Sequence, residues 1–310
     1  MSNSLFITGS SGFVAGHLLR RLPLERYDKV YCLSRGESDV VRSLAQAGQV
    51  EFIAADLLDV EAYASRLASA DIVVHLAAVT GKAKRQTYFD VNAAGTDALV
   101  KKCREVGIPR LLHTSTIAVK YRNIKYYYYA QSKRQAEAIV RDSGLRYTIV
   151  RPTIVLGRDA ANWPPLRKMA TGAILTLPGN GRALVQPIHV DDLVDAMAHL
   201  IEHEKFDNET IDLGGPDAVS IENFLCRIRQ RVLGDQTPRV VHLPLGLMRG
   251  SLGFIERYLF SGLPVTAGQL SVFGNDGPAE EHPALRDVRS GMMSLDALLD
   301  QLTDEHPDGS

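Results

Sequence analysis

The sequence has few cysteines and no concentration of charge. Its 310 residues include three cysteines, Cys32, Cys103 and Cys226, which form no CxxC or His-paired spacing. Disulfide bonds and a metal site are therefore not expected. The 35 basic and 36 acidic residues nearly cancel, and no run of Lys or Arg offers a surface for nucleic acid or an anionic membrane.

Long apolar runs are also missing. No uninterrupted apolar run approaches the ~18 residues that a membrane span needs, and no basic or apolar leader precedes the first predicted strand at Leu5. We therefore predict a cytoplasmic protein without membrane or nucleic-acid partners. The composition, 45% hydrophobic and 23% charged, is typical of a globular protein with a full core.

Residues 5–19, LFITGSSGFVAGHLL, carry the first functional signal. A short apolar run typical of a strand meets a Gly/Ser turn and continues into apolar residues at helical spacing. Gly9 allows a positive φ, Gly12 lets a diphosphate approach the backbone, and Ala15 lets the helix lie close to the strand. Free N–H groups of the first helical turn would then face the phosphates. The pattern also fits an ordinary βα turn, so other residues must decide.

Strands and helices alternate through the first half of the chain. Six short and mostly uniformly apolar runs predict strands at residues 5–8, 29–34, 50–55, 71–77, 110–115 and 147–150. Such strands are typical of a parallel sheet covered by helices on both faces. We predict a doubly wound α/β (Rossmann) fold, whose ligand crevice lies at the carboxyl ends of the strands.

The alternation weakens beyond Pro152, where a smaller C-terminal substrate lobe is expected. Residues 186–190 and 210–213 still read as strands, so part of this half returns to the main sheet. The predicted dinucleotide-binding domain comprises residues 1–155 and 184–213. The predicted substrate-binding lobe comprises residues 156–183 and 214–310.

Three residues form the predicted catalytic group. Thr116 follows the fifth strand, and Tyr129 and Lys133 share one face of the next helix at positions i and i+4. A phenol has a pKa of about 10. A nearby ammonium and a cationic nicotinamide favour the phenolate, and reaching neutral pH requires about 4 kcal/mol. Alternatively, the four tyrosines at 126–129 pack between the lobes and Lys133 is a solvated helix lysine.

At this point the sequence resembles the short-chain dehydrogenase/reductase superfamily, specifically its extended, nucleotide-sugar epimerase/dehydratase-like branch. The resemblance covers most of the chain and rests on several motifs: TGSSGFVA (8–15), ADL (55–57), HLAA (75–78), NAAGT (92–96), TSTIAV (114–119), YAQSK (129–133), RPT (151–153) and HVDD (189–192).

The resemblance implies roles for individual residues. Tyr129 would be the acid/base, Lys133 would also hold the nicotinamide ribose, and Thr116 would orient the substrate carbonyl. The implied cofactor contacts comprise the turn and first helix (Gly9, Ser11, Gly12, Phe13 and Val14), the adenine site (Asp56 and Leu57), backbone at Leu76, Ala77 and Ala78, and nicotinamide packing by Pro152 and Thr153.

Four residues also have quieter interpretations. Asp56 would close a turn, Asp191 would be the N-cap of a helix, and Arg151 would form an inter-lobe ion pair. His75 would be a satisfied core histidine. None of the last three is assigned a catalytic role.

The end of the second strand indicates the cofactor. NAD sites place a carboxylate there, whereas a 2′-phosphate needs a nearby arginine instead. This chain has Ser34 and Arg35, with no acid before Glu37, so NADP(H) is favoured and NAD(H) remains open. Arg35 could also merely stack on adenine in an enzyme that uses either cofactor.

The predicted function is hydride transfer at a secondary alcohol or ketone, by a nucleotide-sugar 4-ketoreductase or 4-epimerase. Three departures from the sugar-nucleotide pattern weaken the argument for diphosphate binding. Lys120-Tyr121 replaces Tyr-Gly, and Ile154 and Val185 lie where an Asn and an Arg are common. Arg182 or Arg151 could substitute. Alternatives are a reductase of hydrophobic ketones and a non-enzymatic NADPH-binding sensor or accessory subunit. The oligomeric state is open, with a homodimer as one candidate.

Overall fold

The computed structural model describes residues 3–234, 238–259 and 266–304. In chain order its strands are β1 (Asn3–Thr8), β2 (Tyr27–Ser34), β3 (Glu51–Ala54), β4 (Ile72–His75), β5 (Arg110–Thr114), β6 (Arg146–Pro152), β7 (Val155–Leu156), β8 (Leu175–Pro178), β9 (Leu184–Val185), β10 (Ile188–His189), β11 (Glu209–Leu213), β12 (Val219–Ser220) and β13 (Val240–Leu243).

The α-helices of the same residues alternate with these strands. They are α1 (Phe13–Arg21), α2 (Asp39–Gln46), α3 (Ala64–Leu67), α4 (Arg85–Tyr88), α5 (Gly95–Val106), α6 (Tyr128–Arg141), α7 (Trp163–Ala170), α8 (Val190–Glu202), α9 (Ile221–Leu233), α10 (Leu245–Leu259), α11 (Arg286–Arg289) and α12 (Leu295–Thr303). None of these helices has both the length and the apolar character needed to cross a bilayer.

Seven strands form one parallel sheet in the order β11-β6-β5-β4-β1-β2-β3. The strand order reverses between β1 and β4, which is where a doubly wound fold opens its ligand crevice. The predicted fold class is confirmed, and all six predicted strands belong to the sheet. β11 returns to it as a seventh strand beside β6.

The sheet separates two apolar layers because strand side chains alternate between its faces. Leu5 and Ile7 of β1 pack into a core with α1 and α8, whereas Phe6 packs on the other face with Leu99 and other residues of α5. Burial on both faces explains why these strands are uniformly apolar.

A separate core lies in the C-terminal lobe and includes Trp163, Leu177 and Phe224. Val185 packs in this core, whereas Ile188 packs in the core of the main sheet. The strand expected at 186–190 is shorter than predicted: β10 spans two residues and pairs with β7 rather than with the main sheet. The bounds of the two lobes stay a prediction.

Candidate active site

The glycine turn between β1 and α1 has an open backbone. Gly9 has a φ of +71°, and a Cβ there would lie 2.6 Å from the Ala77 nitrogen, so the position requires glycine. Gly12 is the extended N-cap of α1 and offers no side chain to the first-turn N–H groups. A Cβ at Gly12 would lie 3.1 Å from the Gly9 oxygen. This cradle fits a dinucleotide diphosphate.

The end of β2 presents hydroxyl and guanidinium groups. The Ser34 hydroxyl is buried and lies 3.0 Å from the Ser10 hydroxyl of the turn, while Arg35 is exposed. Glu37, the first acid after the strand, accepts a 2.9 Å hydrogen bond from Arg42. Its carboxylate is therefore already paired.

The other predicted cofactor residues lie in several environments. Asp56 is exposed and closes a turn by accepting from the Leu58 N–H at 2.9 Å, whereas Leu57 is buried in the core. Thr153 is buried beside Pro152, and its hydroxyl donates to the Gln186 carbonyl. Among the remaining residues, Ser11 is exposed, and Phe13, Val14, Leu76, Ala77 and Ala78 are half-buried. Their cofactor contacts stay predictions.

The three predicted catalytic residues come from two neighbouring elements. Thr116 caps the 3₁₀ turn Ile117–Lys120 that follows β5, and its hydroxyl accepts from the Ala118 N–H. Tyr129 and Lys133 lie one turn apart on α6. The Thr116 hydroxyl lies close enough to Tyr129 to act on the pKa of its phenol. The structure thus brings a phenol and a hydroxyl to one point at the carboxyl end of the sheet.

The pKa of Tyr129 corrects the expectation of an acidic phenol. Burial raises the pKa of Tyr129 to about 12, although the neighbouring Thr116 side chain acts to lower it. Burial also lowers the pKa of Lys133 to about 8, although the negative charge of Glu137 acts to raise it. Desolvation is the largest cause of the shift, and the Lys133 charge that was expected to stabilise the phenolate is not among the causes. The protein by itself holds Tyr129 as a protonated phenol at neutral pH.

Lys133 is buried rather than solvated, with 2% of its surface exposed. Its Nζ lies 3.5 Å from Nε2 of His113 on β5. Burial, followed by the charge of Lys133, lowers the pKa of His113 well below its usual range. His113 therefore faces the ammonium as a neutral ring. Sequence analysis missed this contact because a histidine in a strand resembles any core residue.

Two further buried side chains were not predicted as site residues. Glu137 follows Lys133 by one turn of α6 and is 1% exposed. Asn92, in the π-helical turn Phe89–Ala94, donates to the Ser132 hydroxyl at 3.0 Å and accepts from the Val79 N–H at 2.7 Å. It ties the loop after β4 to α6. The NAAGT motif was the signal that could have found Asn92.

The tyrosine run lies in two different environments. An added Cβ at Gly268 of the C-terminal lobe would lie 2.6 Å from the Tyr126 carbonyl and 3.0 Å from the Tyr127 Cα, so this part packs between the lobes. Tyr129 instead contacts Thr116, with the rings of Tyr127 and Tyr88 centred 5.8 and 6.1 Å away.

The quieter interpretations have mixed outcomes. His75 is satisfied by Thr8 at 2.7 Å and Thr96 at 2.9 Å. The N-cap of α8 is His189 rather than Asp191. The helix starts at Val190, two residues earlier than the predicted start at Asp192.

Asp191 instead lies in the first turn of α8 and pairs with His17 at 2.8 Å. Arg151 pairs with Glu137 and Asp212, which belong to α6 and β11, so it is not an inter-lobe ion pair. Within the described residues, no group of three or more metal-ligating side chains occurs.

A cleft of about 450 Å³ opens in the C-terminal lobe. Its polar lining comprises Asn180, Arg182 and Asp276, and Phe273 lines it with a ring. Of the two arginines considered for a diphosphate, Arg182 faces a cleft and Arg151 is held in ion pairs.

Comparison with known proteins identifies a matching family and several relatives. The model of the NAD dependent epimerase/dehydratase family matches residues 5–214. An uncharacterized protein of Mycobacterium tuberculosis is 28% identical over 84% of this chain, which spans only 26% of that protein. N-acetyl-alpha-D-glucosaminyl-diphospho-ditrans,octacis-undecaprenol 4-epimerase of Escherichia coli O157:H7 is 25% identical, covering 87% of this chain and 82% of the relative. A 2-alkyl-3-oxoalkanoate reductase of Stenotrophomonas maltophilia is 29% identical over a region that covers 64% of this chain and 65% of the relative.

Solved structures share the fold at low identity. UDP-glucose 4-epimerase of Thermotoga maritima with UDP-glucose has a TM-score of 0.67 and 20% identity, covering 97% of both chains. UDP-glucuronic acid 4-epimerase of Bacillus cereus in complex with NAD has a TM-score of 0.64 and 20% identity, covering 87% of this chain and 94% of that one. The resemblance to extended short-chain dehydrogenases/reductases is thereby confirmed.

Proposed function

Because the chain belongs to the NAD-dependent epimerase/dehydratase family, we propose that it is an NAD(P)-dependent oxidoreductase acting at a secondary alcohol or ketone. The observation that carries the proposal is the Tyr129 phenol, half-buried beside Thr116 and one helical turn from a buried lysine. A non-enzymatic sensor or accessory subunit has no need to bury a lysine beside that phenol.

The residues divide the proton chemistry between them. A bound nicotinamide supplies or accepts the hydride. In the reducing direction Tyr129 donates its proton to the carbonyl oxygen, which Thr116 holds by a hydrogen bond. Lys133 then stabilises the phenolate and holds the ribose. With a pKa of about 12, Tyr129 is protonated at neutral pH and can act as this proton donor.

The proposed substrate is a nucleotide-linked 4-ketosugar, reduced or epimerised. The sugar-acting relatives and the cleft with Arg182 support this proposal. A guanidinium can bind a diphosphate in place of the arginine that Val185 replaces. Tightly retained nucleotide would indicate an epimerase, whereas rapid exchange would indicate a reductase.

A hydrophobic ketone is the second candidate substrate. The rings of Tyr88 and Tyr127 flank Tyr129, and Ile154 and Val185 replace polar residues of the sugar pattern. The Stenotrophomonas and Shewanella relatives named as 2-alkyl-3-oxoalkanoate reductases support it. NADP(H) is the proposed cofactor because the end of β2 carries Arg35 and no unpaired carboxylate, with NAD(H) as the alternative.

The test compares Tyr129→Phe with Tyr126→Phe, which makes the same change in a residue that packs against the C-terminal lobe. Oxidation of NADPH and NADH is followed with UDP-4-ketosugars and with 2-alkyl-3-oxoalkanoates. Tyr129→Phe should lower kcat by about 10²–10⁴-fold, and Tyr126→Phe should change it little. Equal turnover of wild type and Tyr129→Phe would exclude the assigned acid. NADPH binding without turnover of any probe would favour the sensor.

A further inference from the structure

His113 lies in the middle of the parallel sheet and contacts Lys133. It is fully buried on β5, where it pairs in register with His75 of β4 and Ile149 of β6. Its Nε2 lies 3.5 Å from Nζ of Lys133 on α6, and within the described residues this ammonium makes no other hydrogen bond or ion pair. The strands on either side hold the ring in place, so His113 is a fixed contact for the buried lysine.

We propose that His113 is a positioning residue for Lys133: its Nε2 accepts one N–H of the buried ammonium and thereby sets the direction of the other two. An ammonium group has three donors, so two remain for a bound ribose. This inference rests on the proposed function, because the direction of Lys133 matters to hydride transfer only if Tyr129 and Lys133 form the acid/base site.

The proposal requires one tautomer of the His113 ring. Burial and the neighbouring ammonium hold the pKa of His113 well below its usual range, so the ring is neutral and carries a single N–H. A bare Nε2 is needed to accept from Lys133, which places the proton on Nδ1. Nδ1 has no hydrogen-bond partner among the described residues. Because a buried N–H without a partner destabilises a fold, packing alone would favour an apolar ring at this position.

The neighbouring His75 provides the opposite case in the same layer. Thr96 donates its hydroxyl proton to the Asn92 carbonyl at 2.7 Å, so the Thr96 oxygen accepts from Nε2 of His75 at 2.9 Å. Nδ1 of His75 then accepts from the Thr8 hydroxyl at 2.7 Å. Both nitrogens of His75 are therefore paired, with the proton on Nε2. Its ring centre lies 5.1 Å from that of His113, so two adjacent histidines should hold opposite tautomers.

The first test measures both tautomers in the full-length protein. Long-range ¹H–¹⁵N spectra of protein labelled with ¹⁵N-histidine distinguish a protonated ring nitrogen from a bare one, and the signals are assigned from their loss in His113→Gln and His75→Gln. In the wild type at neutral pH, His113 should carry its proton on Nδ1 and His75 on Nε2. In Lys133→Met, the ratio of Nδ1–H to Nε2–H at His113 should fall about tenfold or more, because the donor that selects Nε2 as acceptor is gone. His75 should keep its tautomer.

Either of two spectra would overturn the proposal. One is a proton on Nε2 of His113 in the wild type, since the Lys133 ammonium would then find no acceptor there. The other is an unchanged His113 tautomer in Lys133→Met, which would show that another group selects it. The wild-type spectrum decides the question even if the variant does not fold.

Kinetics separate positioning from packing. His113→Phe keeps a ring but no acceptor, whereas His113→Gln keeps an acceptor near the place of Nε2. His113→Phe should lower kcat for the ketone that is turned over by about 10–100-fold, because Lys133 loses its direction. The KM for the ketone should stay within about threefold, since His113 does not bind it. His113→Gln should recover most of kcat. A packing role predicts the reverse order of the two variants, and that order would overturn the proposal.

Thr114→Val is the matched control for these variants. It removes another buried polar atom of β5 that is likewise unpaired within the described residues, and kcat should stay within about twofold of wild type. The spectra need no substrate, so they test His113 even if no ketone is turned over. Absence of turnover with every ketone probe would contradict the proposed function and leave the assignment of His113 standing.

Discussion

The buried Lys133 destabilises the fold that it serves. Burial lowers its pKa from 10.5 to about 8, so the charged form is disfavoured in the native state by about 3 kcal/mol. Between about pH 8 and 10.5 the unfolded chain holds this proton and the native protein does not. Because the unfolded state binds more protons there, this lysine's contribution makes the protein more stable as pH rises.

Lys133→Met should therefore raise the free energy of unfolding at pH 7 by about 2–3 kcal/mol while abolishing activity. The measurement is urea unfolding at pH 7 and at pH 9.5, where the advantage of the variant should shrink. Lys101→Met, at an exposed ion pair with Asp97, is the control and should change stability by less than about 0.5 kcal/mol. A destabilised Lys133→Met would show that burial of the ammonium does not cost the native state stability.

Arg35 is the second residue whose role can be isolated. If it binds a 2′-phosphate, Arg35→Ala should raise the Kd for NADP⁺ by about 10–100-fold, because a charge-assisted contact is lost. The Kd for NAD⁺, which lacks that phosphate, should change by less than about twofold. Titration of protein fluorescence with each dinucleotide measures both. An equal loss for the two dinucleotides would indicate stacking on adenine instead.

Among the elements, the turn between β1 and α1 is the most constrained by sterics. Gly9→Ala combines a φ of +71° with a Cβ 2.6 Å from backbone, whereas Gly48→Ala has a φ of +73° with nothing within 4 Å. Both variants should lose about 1 kcal/mol from the left-handed backbone. Gly9→Ala should lose about 1–3 kcal/mol more together with dinucleotide binding. Thermal unfolding and NADP⁺ titration measure both effects. Equal stability and equal NADP⁺ binding of the two variants would contradict the steric constraint at Gly9.

Elements with strong local signals could be predicted from the sequence. The apolar strands of the sheet and the capped helix α2 are of this kind, because their burial patterns and their N-cap are local. The two-residue strands β9 and β10 and the π-helical turn Phe89–Ala94 could not be predicted, since so few residues show no period.

The electrostatics of the site were also beyond the sequence. The spacing of Tyr129 and Lys133 is local and was predictable. Their burial depends on packing between elements that are distant in the chain, so the pKa of Tyr129 was expected to fall and is instead raised. The pairing of Glu137 with Arg151 joins α6 to β6 and carries no sequence pattern.

At the scale of the whole molecule, the two lobes meet at the start of α6. Phe13, from the glycine turn, packs against both the main core and the core of the C-terminal lobe. Lys120, at the end of the 3₁₀ turn after Thr116, pairs with Glu280. The backbone at Tyr126 and Tyr127, directly before α6, lies against Gly268. Docking of the lobes therefore positions the helix that carries Tyr129.

Gly268→Ala should separate turnover of the ketone from binding of NADP⁺. Its Cβ would lie 2.6 Å from the Tyr126 carbonyl, so the lobe must shift away from the start of α6. We expect kcat/KM for the ketone that is turned over to fall by about 10–100-fold. The Kd for NADP⁺ should stay within about threefold of wild type, because the atoms nearest an added Cβ belong to Tyr126 and Tyr127 and not to the glycine turn. Gly250→Ala, in open space on α10, should keep full activity and add up to about 1 kcal/mol of stability. If Gly268→Ala retains wild-type kcat/KM, the position of Tyr129 does not depend on lobe docking, and the sheet and Asn92 are sufficient to position α6.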